Sequence, residues 1–220
     1  MTMSRRGWLA ALAGAWALRG MRPIPAVEAA ELTLPAGVSE ERFDFETVGV
    51  ERWTTVAGRW AVEDMAGAPS GKRVLVQREV RNEFNVIVAP PGPYSAVDVS
   101  VKLEPIAGKE DASGGIVFRF ADGRYYVVRA NALEGNFRLY VYEGGRRQIA
   151  TARVTPPRLG AWHDMRVIAV GDRIQAWLDG TRLLEHRDAR FTAGRVGLWT
   201  KADSITAFDD LSIRGVLGGA

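Results

Sequence analysis

The strongest chemical signal in this chain comes from Arg119, Arg129, Arg138 and Tyr140, spread over three consecutive β-patterned runs. In the first run Ile116, Phe118 and Phe120 alternate with Val117 and Arg119. In the second, Tyr126, Val128 and Ala130 alternate with Tyr125, Val127, Arg129 and Asn131. In the third, Phe137, Leu139 and Val141 alternate with Asn136, Arg138, Tyr140 and Tyr142. Strand side chains point to opposite faces in turn, and a slip of one residue would bury arginine, so the apolar sets must face the core. That phase places all three arginines and Tyr140 on one outer face. It also calls for an odd or bulged loop at residues 121–124, because a plain two-residue Asp122-Gly123 turn would misalign it.

Guanidinium and phenol groups on a flat face hydrogen-bond ligand hydroxyls, and an aromatic ring stacks on the C–H side of a sugar. Trp199, opposite Val196 and Leu198, is the expected platform, with Trp177 a second candidate; Trp53, Trp60 and Trp162 read as core or edge residues. A solvated sheet face would also carry Arg and Tyr, but three arginines with aromatics on adjacent strands exceed what such a face needs.

Reactive constellations are scarce. Acid–base work at a glycosidic bond needs two carboxylates about 5–10 Å apart. Glu63-Asp64 and Glu110-Asp111 are adjacent pairs whose side chains diverge in strands. Of the two histidines, His163 shares parity with Met165 and Val167 and reads as structural, and His186 as solvated. No Ser/His/Asp order, phosphate loop or His-rich metal spacing stands out. Asp44 and Glu46 in the first strand and Asp209 and Asp210 in the last could hold a structural calcium ion if those strands pair. Edge charges that discourage aggregation explain the same four residues without an ion.

The elements that must position these groups are short strands punctuated by Gly, Asp and Pro, with no long amphipathic helix. The pattern predicts strands over Arg42–Glu46, Trp60–Asp64, Val74–Arg78, Asn85–Ala89, Ala96–Leu103, Gly115–Phe120 and Tyr125–Asn131. It continues with Asn136–Tyr142, Arg147–Val154, His163–Val170, Arg173–Asp179, Thr181–Glu185, Arg195–Thr200 and Ile205–Ile213. The last two are expected to form a closing strand pair. About fourteen strands imply an all-β fold of two packed antiparallel sheets, a β-sandwich or jelly roll.

The 220 residues hold 47% apolar side chains, enough for one sizeable core, and no cysteine. Disulfides, lipid anchoring through cysteine and thiolate metal sites are therefore excluded. The pI of about 9.4 suggests nucleic acid, but residues 1–29 carry four arginines against one glutamate. The remainder then holds 25 basic and 25 acidic residues, so the charge belongs to the N-terminal segment and no nucleic-acid partner is expected. Arg5-Arg6 before the apolar stretch Trp8–Leu18, then Pro23, Pro25 and Val27-Glu28-Ala29, reads as an export signal cleaved after Ala29. Both the twin-arginine and the general secretory route remain open. The expected organisation is an export signal over 1–29, a linker over 30–41, the sandwich over 42–215 and a tail over 216–220. No membrane span follows the signal, and the expected location is periplasmic or extracellular.

Several stretches in order resemble one group of proteins: Gly114-Gly115-Ile116-Val117-Phe118-Arg119-Phe120, Tyr125-Tyr126-Val127-Val128-Arg129-Ala130-Asn131 and Trp162-His163-Asp164-Met165-Arg166-Val167. Leu178-Asp179-Gly180, Gly197-Leu198-Trp199-Thr200 and Phe208-Asp209-Asp210-Leu211 complete the series. Together they resemble concanavalin A-like, laminin-G-like sandwiches, and within these the 3-keto-disaccharide hydrolase (3-keto-glucoside lyase/hydratase) domains. The resemblance implies an exported sandwich that handles saccharides on its concave sheet and, in enzymatic members, hydrolysis or elimination on 3-keto-glycosides. Arg119 matches the arginine ending the family's Gly-Ile-Phe-Phe-Arg strand. Val127 and Arg129 stand where enzymatic relatives tend to carry Glu and Gln, and valine neither transfers a proton nor holds an ion. The leading expectation is a saccharide-binding domain. The alternatives are a 3-keto-glycoside hydrolase or lyase and a cell-envelope protein-interaction module.

Overall fold

A computed structural model describes residues 30–218, and the export signal expected over 1–29 lies outside them. The described chain forms fifteen strands: β1 (Val38–Phe43), β2 (Thr54–Ala57), β3 (Trp60–Asp64), β4 (Arg73–Gln77), β5 (Phe84–Val88), β6 (Tyr94–Ala107), β7 (Ser113–Ala121) and β8 (Arg124–Asn131). They continue with β9 (Asn136–Tyr142), β10 (Arg146–Arg153), β11 (His163–Val170), β12 (Arg173–Leu178), β13 (Thr181–Arg187), β14 (Arg195–Lys201) and β15 (Ile205–Leu217). Eight strands form one antiparallel sheet in the order β13-β12-β11-β6-β15-β4-β3, with β1 also paired to β15. Seven form the other, in the order β10-β9-β8-β7-β14-β5-β2. The expected two-sheet antiparallel sandwich is the fold.

The inner faces meet in a core of alternating residues. Val97, Val99, Val101 and Leu103 of β6 and Met165, Val167 and Ala169 of β11 pack with Ile116 and Phe118 of β7 and Val128, Leu139 and Leu198. His163 is structural, as expected: its Nδ1 lies 2.8 Å from Asp179 Oδ2, and its Nε2 accepts the Arg158 backbone N–H at 3.0 Å.

The closing pair differs from the expectation. β14 lies in the seven-stranded sheet and β15 in the other, so residues 202–204 carry the chain between sheets and no hairpin forms. β15 is central, pairing with β6 on one side and with β4 and then β1 on the other.

The first and last strands do pair, Phe43 opposite Leu211, yet the four carboxylates assigned to calcium are not assembled. Glu46 accepts the backbone N–H groups of Lys72 and Arg73, which, Arg73 first, hold its carboxyl below the ordinary value. Asp209 accepts from Ser70 and from the Asp210 amide, and Asp44 accepts from the Glu46 amide. Among the described residues no group of three or more His, Asp or Glu side chains is placed to hold a metal. Glu46 Oε1, Asp44 Oδ1 and both Asp209 oxygens are instead engaged by backbone amides and the Ser70 hydroxyl.

Candidate saccharide-binding face

Pairing registers fix which side chains share the outer face of the seven-stranded sheet. One row runs Arg138, Arg129, Gly115, Trp199 and Val86 across β9, β8, β7, β14 and β5. The next row runs Tyr140, Val127, Val117, Gly197 and Val88. Arg129, Arg138, Tyr140 and Trp199 therefore lie together, as the alternation predicts.

Arg119 does not join them. The bulge sits within β7 at residues 119–120, opposite Tyr125, and the turn beyond it is a plain two-residue Asp122-Gly123 turn with Ala121 opposite Arg124. Arg119 adopts φ of 53°, an uncommon left-handed conformation for a side-chain-bearing residue. The extra residue reverses the facing. Phe120 moves to the outer face, stacked on Tyr125 at 5.9 Å. The Arg119 guanidinium instead donates to the carbonyls of Phe191 at 2.7 Å and Gly171 at 2.6 Å. Burial lowers its pKa. Gly194 is required where the bulge packs, since a Cβ there would run into the Arg119 backbone.

The outer face is concave. Phe84 on β5 and Tyr142 on β9 have three strands between them, so a flat sheet would hold their Cα atoms roughly 19 Å apart. Their ring centroids are 5.8 Å apart. Phe84 also stacks on Trp199 at 5.6 Å, and Tyr125 on Tyr142 at 4.9 Å. Coiling of the sheet folds this corner over on itself, and Trp199 is 0% exposed. The expected open tryptophan platform is a packed support, and its Nε1 approaches the Tyr125 hydroxyl without forming a hydrogen bond of good geometry. Trp177 belongs to the other sheet, with the Arg166 guanidinium 5.1 Å from its ring centre.

Beyond the aromatic corner the face is polar. Arg129, 1% exposed, donates to Glu134 Oε2 at 3.0 Å and to the Tyr140 hydroxyl at 3.2 Å. Arg138 reaches the same two groups, each at 3.3 Å, and Asn136 donates to Glu134 at 2.8 Å. Asn131 accepts the backbone N–H groups of Leu133 and Glu134, which fixes the β8–β9 turn and aims Glu134 at the arginines. The Arg129 and Arg146 guanidiniums lie 5.7 and 4.6 Å from the Tyr140 ring centre. Tyr140 is thus the hub of three arginines. Buried here without a partner are Arg129 Nε and Nη1, Arg138 Nε, Arg146 Nη1, Asn131 Nδ2 and Asn136 Oδ1. Native interiors hold few such atoms, and a concentration of them calls for an explanation such as a bound water, ion or ligand.

Glu134, Asn131, Asn136 and Arg146 were not among the residues singled out from sequence. Two asparagines flanking a four-residue turn with Glu inside it, between arginine-bearing strands, was the available signal. Asn136, ahead of Arg129, holds the Glu134 carboxyl down at about 2 against the opposing effect of burial. A carboxylate whose folded-state pKa is depressed contributes fully above its ordinary value and loses that contribution only as pH falls through the folded value. The charge balance of this face is therefore expected to stay constant from neutral pH to about pH 3. An NMR titration of Glu134 reads this directly, and a midpoint near its ordinary value of 4.5 would contradict it.

Gly115 sits in the row between Arg129 and Trp199. A Cβ there would run into the Val128 carbonyl oxygen and lie 3.0 Å from Arg129 Cβ. Gly115→Ala is expected to cost about 3 kcal/mol, lowering Tm by roughly 6–12 °C in a thermal melt. An unchanged melt would show that the strands can part there.

The opposite sheet carries a groove of about 640 Å³ lined by Arg42, Asp98, Lys102, Asp164, Arg166 and Arg214, among others. Its charges are matched: Arg166 and Arg214 bind Asp98, and Lys102 binds Asp164.

Fold and face together define an antiparallel β-sandwich with a concave, arginine-rich sheet. The chain belongs to the 3-keto-alpha-glucoside-1,2-lyase-like domain family, whose model matches residues 45–214. It is 24% identical over 150 residues to the levanase of Bacillus subtilis (strain 168), a match covering 66% of this chain and 20% of that protein. The chain thus spans about a fifth of that relative's length. Among solved structures it is similar to the carbohydrate-binding module CBM66 from Bacillus subtilis, with a TM-score of 0.63 and 21% identity. That match covers 73% of this chain and 93% of the module. A second similarity is to a protein from Parabacteroides distasonis ATCC 8503 that carries a provisional glycosyl hydrolase description, with a TM-score of 0.57 and 16% identity, covering 80% and 99% of the two chains.

Proposed function

We propose that this chain is an exported saccharide-binding domain whose ligand lies on the concave face, against Arg129, Arg138, Tyr140 and Glu134. The observation that carries the reading is the buried Arg129 guanidinium with two nitrogens lacking partners. A charge left partly unsatisfied in a folded protein is costly, and a ligand oxygen would complete its bonding. The likeness to a carbohydrate-binding module and to a levanase supports a sugar as that ligand. Calorimetric titration of the full chain with levan and a panel of other oligosaccharides tests this. At least one is expected to bind, and Arg138→Ala to weaken it tenfold or more. A panel without a binder, or an affinity indifferent to that substitution, would remove the reading. Export rests on Arg5-Arg6 and the apolar stretch after them. Cell fractionation of the parent chain tests it, with recovery in the cytoplasm alone as the contrary result. The Arg5→Lys, Arg6→Lys double variant separates the twin-arginine route, which it should block, from the general one, which it should not.

The family description favours a second reading, elimination or hydrolysis on 3-keto-glycosides. A carboxylate held at about 2 is a weak base, and Val127 offers no proton-transfer group beside it. Turnover of a 3-keto-glucoside that disappears in Glu134→Gln would establish this reading over binding alone.

A further inference from the structure

The partnerless atoms on the concave face have a sign. All but Asn136 Oδ1 are donors: Arg129 Nε and Nη1, Arg138 Nε, Arg146 Nη1 and Asn131 Nδ2. The two asparagine orientations are fixed by their other bonds, since Asn131 Oδ1 accepts two backbone amides and Asn136 Nδ2 donates to Glu134. A neutral sugar hydroxyl both donates and accepts, so a face built for neutral sugars would offer both kinds of group. This one offers nitrogen donors almost throughout.

Charge points the same way. Three guanidiniums converge on Tyr140, and Glu134 is the carboxylate that Arg129 and Arg138 share. Arg146 rests on the Phe84 and Tyr140 rings, 5.1 and 4.6 Å from their centres. The neighbouring Lys201–Asp111 pair is balanced within itself. The concave face is therefore short of negative charge around Tyr140, and charge-assisted bonds to an anionic oxygen would be strong there.

From this surplus of buried donors and positive charge around Tyr140, we infer that the saccharide taken by the concave face carries a carboxylate, as a uronic acid unit does. The inference rests on the saccharide-binding reading. The sugar's carboxylate would supply the acceptors that Arg129, Arg138 and Arg146 lack, while its hydroxyls meet Asn131, Asn136 and Glu134.

The test is calorimetry of the full chain with oligogalacturonate, oligoglucuronate and oligomannuronate, each beside its methyl ester, with sodium sulfate as a plain anion. At least one acid is expected to bind tenfold or more tighter than its ester, a difference of about 1.4 kcal/mol. In Arg146→Gln that preference should shrink below threefold, with a thermal melt confirming the fold. Esters or other neutral sugars binding as well as every acid would overturn the inference and leave the saccharide reading standing. Failure of every sugar, charged or neutral, would sink the saccharide reading itself. Sulfate binding as tightly as the best acid would overturn the inference too, because the face would then be a simple anion site.

Discussion

Arg129→Met is expected to abolish ligand binding while leaving the fold as stable as before, or more so. The side chain is 1% exposed, and two of its three guanidinium nitrogens have no partner. Desolvating a guanidinium is expensive, and one shared carboxylate returns only part of that cost. Methionine fits beside Val127 and Tyr140 with no polar atom to satisfy. Glu134 keeps Arg138 and Asn136 as partners, so the substitution does not strand a carboxylate. Replacing a whole buried ion pair by well-packed apolar groups is commonly neutral or stabilising by about 1–4 kcal/mol, and the penalty of removing one partner alone is avoided here because Glu134 is 41% exposed and still paired. At this chain length that is roughly 2–4 °C of Tm per kcal/mol. Saccharide affinity should fall about a hundredfold or more. A melt lowered by more than about 5 °C would instead make Arg129 a structural residue.

Arg119→Ala should do the reverse. Its guanidinium ties the carbonyls of Phe191 and Gly171, joining the β7 bulge to the segment before β14 and to the β11–β12 turn. Removing it leaves two carbonyls without a donor, each worth about 1–3 kcal/mol where buried, and opens space at the end of the core. About 3 kcal/mol of stability, or roughly 6–12 °C of Tm, should be lost. Tyr126 next to it would loosen as well: its hydroxyl donates to Asp188 and accepts the Phe191 amide, and burial first, then that Asp188 bond, pushes it up to about 12. Saccharide affinity of the folded variant should match the parent, because the concave face is turned away from this contact. A normal melt together with lost binding would reverse the assignment. Two buried arginines ten residues apart thus make opposite predictions.

That distinction is where the sequence stops being legible. Alternation locates most strands to within two residues, and it orients Arg129, Arg138 and Tyr140 correctly because β8 and β9 pair without interruption. It fails at Arg119, since periodicity reports facing only up to a bulge and no residue type announces one at Phe118-Arg119-Phe120. Thr54–Ala57 escapes notice as a short, largely exposed edge strand without alternation. β1 begins four residues early, over Val38-Ser39-Glu40-Glu41, because pairing to β15 and not burial makes it a strand. The run from Arg195 to Ile213 looks like a hairpin because local spacing cannot say which sheet each half will join. Trp199 reads as a platform because sequence does not show how sharply a sheet coils.

The position of β15 governs how the chain can be made. During synthesis β1, β4 and β6 all emerge before the strand that lies among them. Until residues 205–217 appear, each of the three presents a row of unpaired backbone groups, the condition under which nascent β-proteins aggregate. The eight-stranded sheet therefore closes last and from its centre, and a chain cut short before β15 loses the strand that joins β6 to β4 and β1.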